Sequence, residues 1–148
     1  MKNPRKAKQS ASIRGGVSQS LAHDSAAKHV RGGAQYIDDI LEPIGTLHGA
    51  LGLTDRAHAR ILKLDLDAVR NAAGVVAVLT GPDVPGHNDI SPTGRHDEPI
   101  LAEGVVQFHG QPVFAVIAET RDQARRAARL ATIAYEDLPF VVDVADAT

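Results

Sequence analysis

The apolar positions of this chain change their period along its length. Thr46–Thr54 sets Leu47, Leu51 and Leu53 on one side at a period of two, which predicts a strand with those leucines buried. His58–Leu66 repeats the pattern less cleanly, since Ile61 and Leu64 stand three apart. Asp65 is placed to cap a short helix over Leu66–Ala73, which Gly74 ends as a left-handed residue. Val75–Thr80 is a continuous run rich in β-branched residues and predicts a strand covered on both faces.

Gly81–Pro99 is rich in Gly, Pro, Asn and Asp and has no periodic segment, so it predicts a long functional or disordered loop. Val105–Phe108 and Pro112–Ala118 then predict two strands on either side of His109-Gly110. Thr120 and Gln123 form a capping-box pattern at the head of the clearest helix. In it Ala124, Ala127, Ala128 and Ala131 recur at helical spacing, a stripe of small residues that lets a helix come close to a sheet. Ile133–Tyr135 and Phe140–Val144 predict last short strands. The sum is an α+β domain of short mixed strands with two helices, and it fits neither a parallel nucleotide-binding pattern nor a repeat array.

Composition narrows the chemistry. The 148 residues suit one domain and contain no Cys, which excludes a disulfide framework, thiolate zinc, cysteine-held iron–sulfur clusters and a Cys nucleophile. Aromatics are 3% of residues, so Val, Ile, Leu and Ala must build the core. No apolar run approaches the ~20 residues that span a bilayer, and the polar stretch Ser10–Gln19 is unlike a signal peptide. A soluble, cytoplasmic protein is expected. The net charge of -2 is unevenly spread, because residues 1–23 carry five cations and no acid. Residues 1–20 therefore read as a basic disordered arm, and 21–148 as the folded domain.

No catalytic constellation emerges. The phosphate loop, the dinucleotide fingerprint and the G-x-S-x-G elbow are all absent. His87, His96 and His109, with Asp89, Asp97 and Glu98, are the residues a metal would need, but they lack ligand spacing. His58 reads as a satisfied or solvent-facing side chain. Asp38-Asp39 would point to opposite faces of a strand, and Asp65/Asp67 read as helix capping. Arg121, Arg125 and Arg129 make a basic ridge opposite the alanine stripe, with Arg126 beside it and Asp122 placed to pair with Arg126. On these grounds catalytic, cofactor-binding and metal residues are none.

An ordered series of short segments carries more information. It begins Gly33-Ala34-Gln35-Tyr36-Ile37-Asp38-Asp39, Gly45-Thr46-Leu47-His48 and Ala57-His58-Ala59-Arg60-Ile61. It continues through Gly74–Thr80, Asp83-Val84-Pro85-Gly86 with Asn88, and Asp97-Glu98-Pro99. It closes with Gly110-Gln111-Pro112-Val113 and Tyr135-Glu136-Asp137-Leu138-Pro139. From Leu21 to Ala147 the chain resembles the N-terminal α/β hammerhead domain of the molybdenum-binding subunit of the xanthine dehydrogenase and aldehyde oxidase family. Asn88–Pro92 and Phe114 resemble the bacterial xanthine dehydrogenases most.

The resemblance implies a larger enzyme that hydroxylates a purine, hypoxanthine or xanthine, with water. A molybdenum–molybdopterin centre and a glutamate base lie in domains that follow the hammerhead. Iron–sulfur clusters, FAD and NAD belong to a partner chain, in keeping with the absence of Cys here. The implied partners are the downstream molybdopterin-binding domains, the iron–sulfur/flavin subunit and a purine substrate, with no membrane and no nucleic acid. No catalytic residue carries over, and Asp38, Glu98 and Gln111 receive no role from the family. This fragment is expected to hold no cofactor and to be inactive alone. The alternative reading is a stand-alone adaptor whose basic arm contacts nucleic acid or an acidic protein.

Overall fold

A computed structural model describes residue 21 and residues 23–147; the basic arm lies outside them. The described residues fall into two compact units that divide between Glu42 and Pro43. The first holds a short helix α1 (Ala26–Val30) and a 3-10 turn at Ile37–Asp39. Among its described residues His29 stands between His23 and Tyr36, with the Tyr36 hydroxyl 3.0 Å from His29 Nδ1. Neither helix buries a residue.

The second unit contains two three-stranded antiparallel sheets. One has β1 (His48–Leu53) and β3 (Val75–Leu79) on either side of β5 (Pro112–Ala118). The other has β4 (Val105–Val106) and β6 (Thr132–Asp137) on either side of β2 (Ala59–Asp65). A single helical turn, α2 (Asp67–Arg70), links β2 to β3, and α3 (Arg121–Ala128) packs across β1, β5 and β3. This is a small mixed α/β arrangement of short strands and few helices.

The continuous apolar run that becomes the central strand is Pro112–Ala118. Pro112 opens it, where its missing N–H costs least, and Val113, Phe114, Val116 and Ala118 are buried. Ala124 and Ala127 of α3 are fully buried above it. Thr120 caps that helix, its Oγ1 accepting from Gln123 N–H at 3.2 Å and donating to Gln123 Oε1 at 2.8 Å. One core cluster joins Val113, Phe114, Val116 and Ala127 to Ala59 and Val106 of the second sheet, to Leu66 just before α2 and to Val69 within it.

Several expectations are corrected. In β1 it is Gly52 that is buried, while Leu51 and Leu53 are each 54% exposed and Leu47 is also exposed. The reason is the small-residue stripe of α3: a helix so close leaves room on β1 only for small side chains, and the Phe114 ring fills what remains. A Cβ on Gly52 would overlap that ring. β3 is not covered on both faces: it lies at the edge of its sheet and none of its residues is fully buried. Its Val76 is the unpaired residue of a bulge and is 56% exposed. The helix expected over Leu66–Ala73 shrinks to Asp67–Arg70 before a turn that ends at left-handed Gly74. Phe140–Val144 forms no strand, and the segment ends in a 3-10 turn at Val144–Ala147. The two strands around His109-Gly110 join different sheets.

Candidate functional site

The segment Gly81–Pro99, which offers the most polar and titratable groups, is ordered by its own hydrogen bonds. A 3-10 turn at Gly81–Asp83 starts it, with Asp83 Oδ2 accepting from both the N–H and the hydroxyl of Thr80 at 2.8 Å. Those two bonds, the amide first, hold the Asp83 carboxyl below its ordinary range. Asn88 pins the next stretch. Its Nδ2 donates to the Leu101 carbonyl and to Glu103 Oε1, both at 2.7 Å, and its Oδ1 accepts from Leu101 N–H at 3.0 Å.

Asp89 and Ser91 hold the tip. Ser91 Oγ donates to Asp89 Oδ1 at 2.6 Å and accepts from the amides of Asp97 and Glu98 at 3.0 Å. His96 Nδ1 donates to Asp89 Oδ2 at 2.8 Å, with His96 in the left-handed region at φ 57°. The Ser91 hydroxyl, with the His96 ring and two amides behind it, lowers the Asp89 carboxyl to about 2 against partial burial. A serine, a histidine and an aspartate therefore meet here, but in the wrong order for nucleophilic catalysis. The serine proton goes to the carboxylate and not to the imidazole, so nothing activates the hydroxyl.

The remaining sequence candidates take structural places. His87 lies beside His96, with ring centres 5.9 Å apart. His109 sits in the turn before β5 and lines a cleft of about 460 Å³ with His58, Phe108, Phe140, Val141 and Val142. Among the described residues no three His, Asp or Glu side chains converge on a point where a metal could sit. With no Cys in the chain, the residues present do not fit an iron–sulfur cluster. His58 Nδ1 donates to the Pro139 carbonyl at 2.8 Å and ties the start of β2 to the chain after β6. Asp39 accepts from Tyr36 N–H at 2.9 Å, which leaves Asp38-Asp39 as part of a turn. Asp65 accepts from Lys63 Nζ at 3.0 Å and from the Asp67 amide at 3.3 Å. These bonds, that from Lys63 first, lower its carboxyl. Asp65 thus turns the chain into α2 instead of capping it, since the N-cap position falls on Leu66, which makes no side-chain cap bond.

Gln111, which sequence reasoning left without a role, is 2% exposed and accepts from Gln107 N–H at 2.7 Å through its Oε1. It closes the turn that separates the two sheets. A larger cleft of about 660 Å³ is formed by β1, α3 and β6. Arg125 and Arg129 line it together with Ala128, so the arginine row borders the alanine stripe instead of opposing it. Arg121 is not among its lining residues. Tyr135 also lines this cleft, and its Oη is buried with no hydrogen-bond partner among the described residues. That condition costs about 1–3 kcal/mol. The Arg56 guanidinium stands 5.8 Å from the centre of the same ring.

Comparison with known proteins bears on this arrangement. Residues 31–139 match the family described as "Aldehyde oxidase and xanthine dehydrogenase, a/b hammerhead domain". The xanthine dehydrogenase of Oryza sativa subsp. japonica is 41% identical over 131 residues, which is 88% of this chain and 10% of the relative. Aldehyde oxidase 2 of Rattus norvegicus is 42% identical over 132 residues, covering 88% of this chain and 9% of the relative. The solved aldehyde oxidoreductase of Desulfovibrio desulfuricans superposes with a TM-score of 0.76 at 30% identity, over 86% of this chain and 15% of the other. The chain therefore spans about a tenth of the length of the two sequence relatives.

Proposed function

The chain belongs to the a/b hammerhead domain family of aldehyde oxidase and xanthine dehydrogenase, and from that premise we propose that it is a structural and docking element of a molybdenum hydroxylase. The observation that carries this reading is where the apolar surface lies. Leu47, Leu51, Leu53, Phe108, Phe140, Val141 and Val142 are exposed on a small unit, while the polar residues of the loop Gly81–Pro99 are committed to one another. Leu51 and Leu53 line one cleft and Phe108, Phe140, Val141 and Val142 another, and apolar side chains grouped in this way at a surface mark where another polypeptide docks.

In this reading the parent oxidises a purine such as xanthine, as the name of the rice relative suggests. Molybdenum–molybdopterin sits in other domains of the same subunit, and iron–sulfur clusters, FAD and NAD sit on a partner chain. Residues of this domain shape and brace the assembly, and the chain alone turns over no substrate. A cytoplasmic location goes with it.

The test is to purify the full-length parent and assay molybdenum, pterin and oxidation of xanthine against an aliphatic aldehyde. Molybdenum with xanthine preferred supports the purine reading. Aldehyde preferred moves the parent to the aldehyde oxidases. Xanthine turnover by the 148-residue chain alone overturns the structural role.

A further inference from the structure

The cleft beside α3 has a feature that a ligand pocket rarely has. Ala50, Leu51, Gly52 and Leu53 line it in unbroken succession. The faces of a strand present alternate residues, so four consecutive ones line a space only along the strand's edge. β1 is the outermost strand of its sheet, with β5 on its other side, and β6 is likewise outermost in the second sheet. Alternate N–H and C=O groups of Ala50–Leu53 thus open into the cleft without a strand partner among the described residues. Natural sheets cover such edges or charge them. Here the edge carries neither Lys nor Pro, and two half-exposed leucines flank it.

The two faces next to that edge differ in chemistry. On the α3 side, beyond Ala50 and Gly52, stand Arg125 and Arg129, and neither forms an ion pair among the described residues. Asp55, the acid in the cleft, lies 3.4 Å from Arg56 Nε, so its charge is already partnered. On the opposite face Leu51 and Leu53 are open. A strand added to β1 would place alternate side chains beside the arginines and beside the leucines, since neighbours across a ladder share a face.

We propose that the free edge of β1 receives an extended segment of the parent enzyme in which acidic and apolar residues alternate. The acids meet Arg125 and Arg129, the apolar residues cover Leu51 and Leu53, and the backbone completes the ladder. This is strand addition, in which the main chain supplies affinity and alternate side chains supply specificity. The choice of occupant rests on the proposed function. The chemistry of the cleft does not.

Two experiments test it. The first adds a short capped peptide alternating valine and glutamate to the 148-residue chain, followed by amide NMR. The expected result is that the amides of Ala50–Leu53 shift and that this peptide binds about tenfold or more tightly than its valine/lysine counterpart. The R125E/R129E variant, altered only at exposed positions, should reverse that preference, and N-methylation of the peptide's pairing amides should abolish binding. Acetate alone giving the same shifts overturns the proposal in favour of a simple anion site. A concentration-dependent dimer that occupies β1 overturns it in favour of a second copy.

The second experiment places a photo-crosslinking residue at Leu51 in the full-length parent. A crosslink to an acidic/apolar segment of the same enzyme is expected, and none, or one to another copy, overturns the assignment. A molybdenum-containing, xanthine-oxidising parent without that crosslink defeats this inference alone. A crosslinked parent without molybdenum defeats the proposed function alone.

Discussion

The loop Gly81–Pro99 and the cleft along β1 are opposites in how they use their groups. The loop is full of donors and acceptors, and they satisfy one another: Asn88 holds Leu101, Ser91 holds Asp89, Asp97 and Glu98, and Asp89 holds His96. The cleft is lined mainly by apolar residues, with Arg125, Arg129 and Asp55 as its charged ones, yet it contains an open strand edge and a Tyr135 hydroxyl without a partner among the described residues. Chemical variety in a sequence is therefore a poor guide to reactivity, because a group already hydrogen-bonded to a neighbour has little left to offer a partner.

The contrast can be broken most forcefully through the buried face of β1. Phe114→Ala empties the space that Gly52 leaves open and should cost about 4 kcal/mol in urea unfolding. If it costs less than a quarter of that, the ring is not filling the interior. Gly52→Ala sets a methyl against the same ring and should destabilise by about 2 kcal/mol. The double variant Gly52→Ala/Phe114→Leu should recover part of that loss, since the smaller side chain makes room.

On the loop side, Asn88→Ala removes three hydrogen bonds and should cost about 1–2 kcal/mol. Faster amide exchange should follow at Leu101. Acid should act on the same segment. The Asp89 carboxyl lies at about 2 in the folded chain, down from 3.8. A lowered folded value means that its contribution is complete above about pH 4 and is lost as pH falls toward about 2. Ser91→Ala removes the main cause of the lowering and should raise the midpoint of acid-induced loop opening. An unchanged midpoint would show that the serine is not its support. The smallest effect belongs to the outer face: Leu51→Lys should change stability by no more than about 0.5 kcal/mol. A loss near that of Gly52→Ala would make Leu51 part of the core.

Much of the strand pattern is legible in the sequence, and the misreadings share a cause. Ile61 and Leu64 look out of step because Leu62 is the unpaired residue of a bulge, which sets Ile61 and Leu64 opposite Tyr135 and Ile133 on one face. Val76 does the same in β3. Local periodicity has no term for an inserted residue. The inverted burial of β1 has another origin, since period two gives two possible phases. Hydrophobicity favours the leucines, but the close approach of α3 favours glycine and alanine, and the helix decides. That decision depends on contacts far apart in the chain. The family was legible in the order of its short segments, whereas the cleft was not, because Arg125, Leu51 and Tyr135 share no local pattern. The arginine row and the alanine stripe were both readable, but their shared border appears only once β1 lies against them.

Amide hydrogen exchange compares the two regions directly, in the 148-residue chain and in the full-length parent. In the isolated chain the amides of β1 that open into the cleft should exchange fast, and those of β5 slowly. In the parent the same β1 amides should slow by about tenfold or more, while the loop tip at Asp89–Ser91, already satisfied by its own contacts, should change little. Slowing at the loop with no change in β1 would contradict the account.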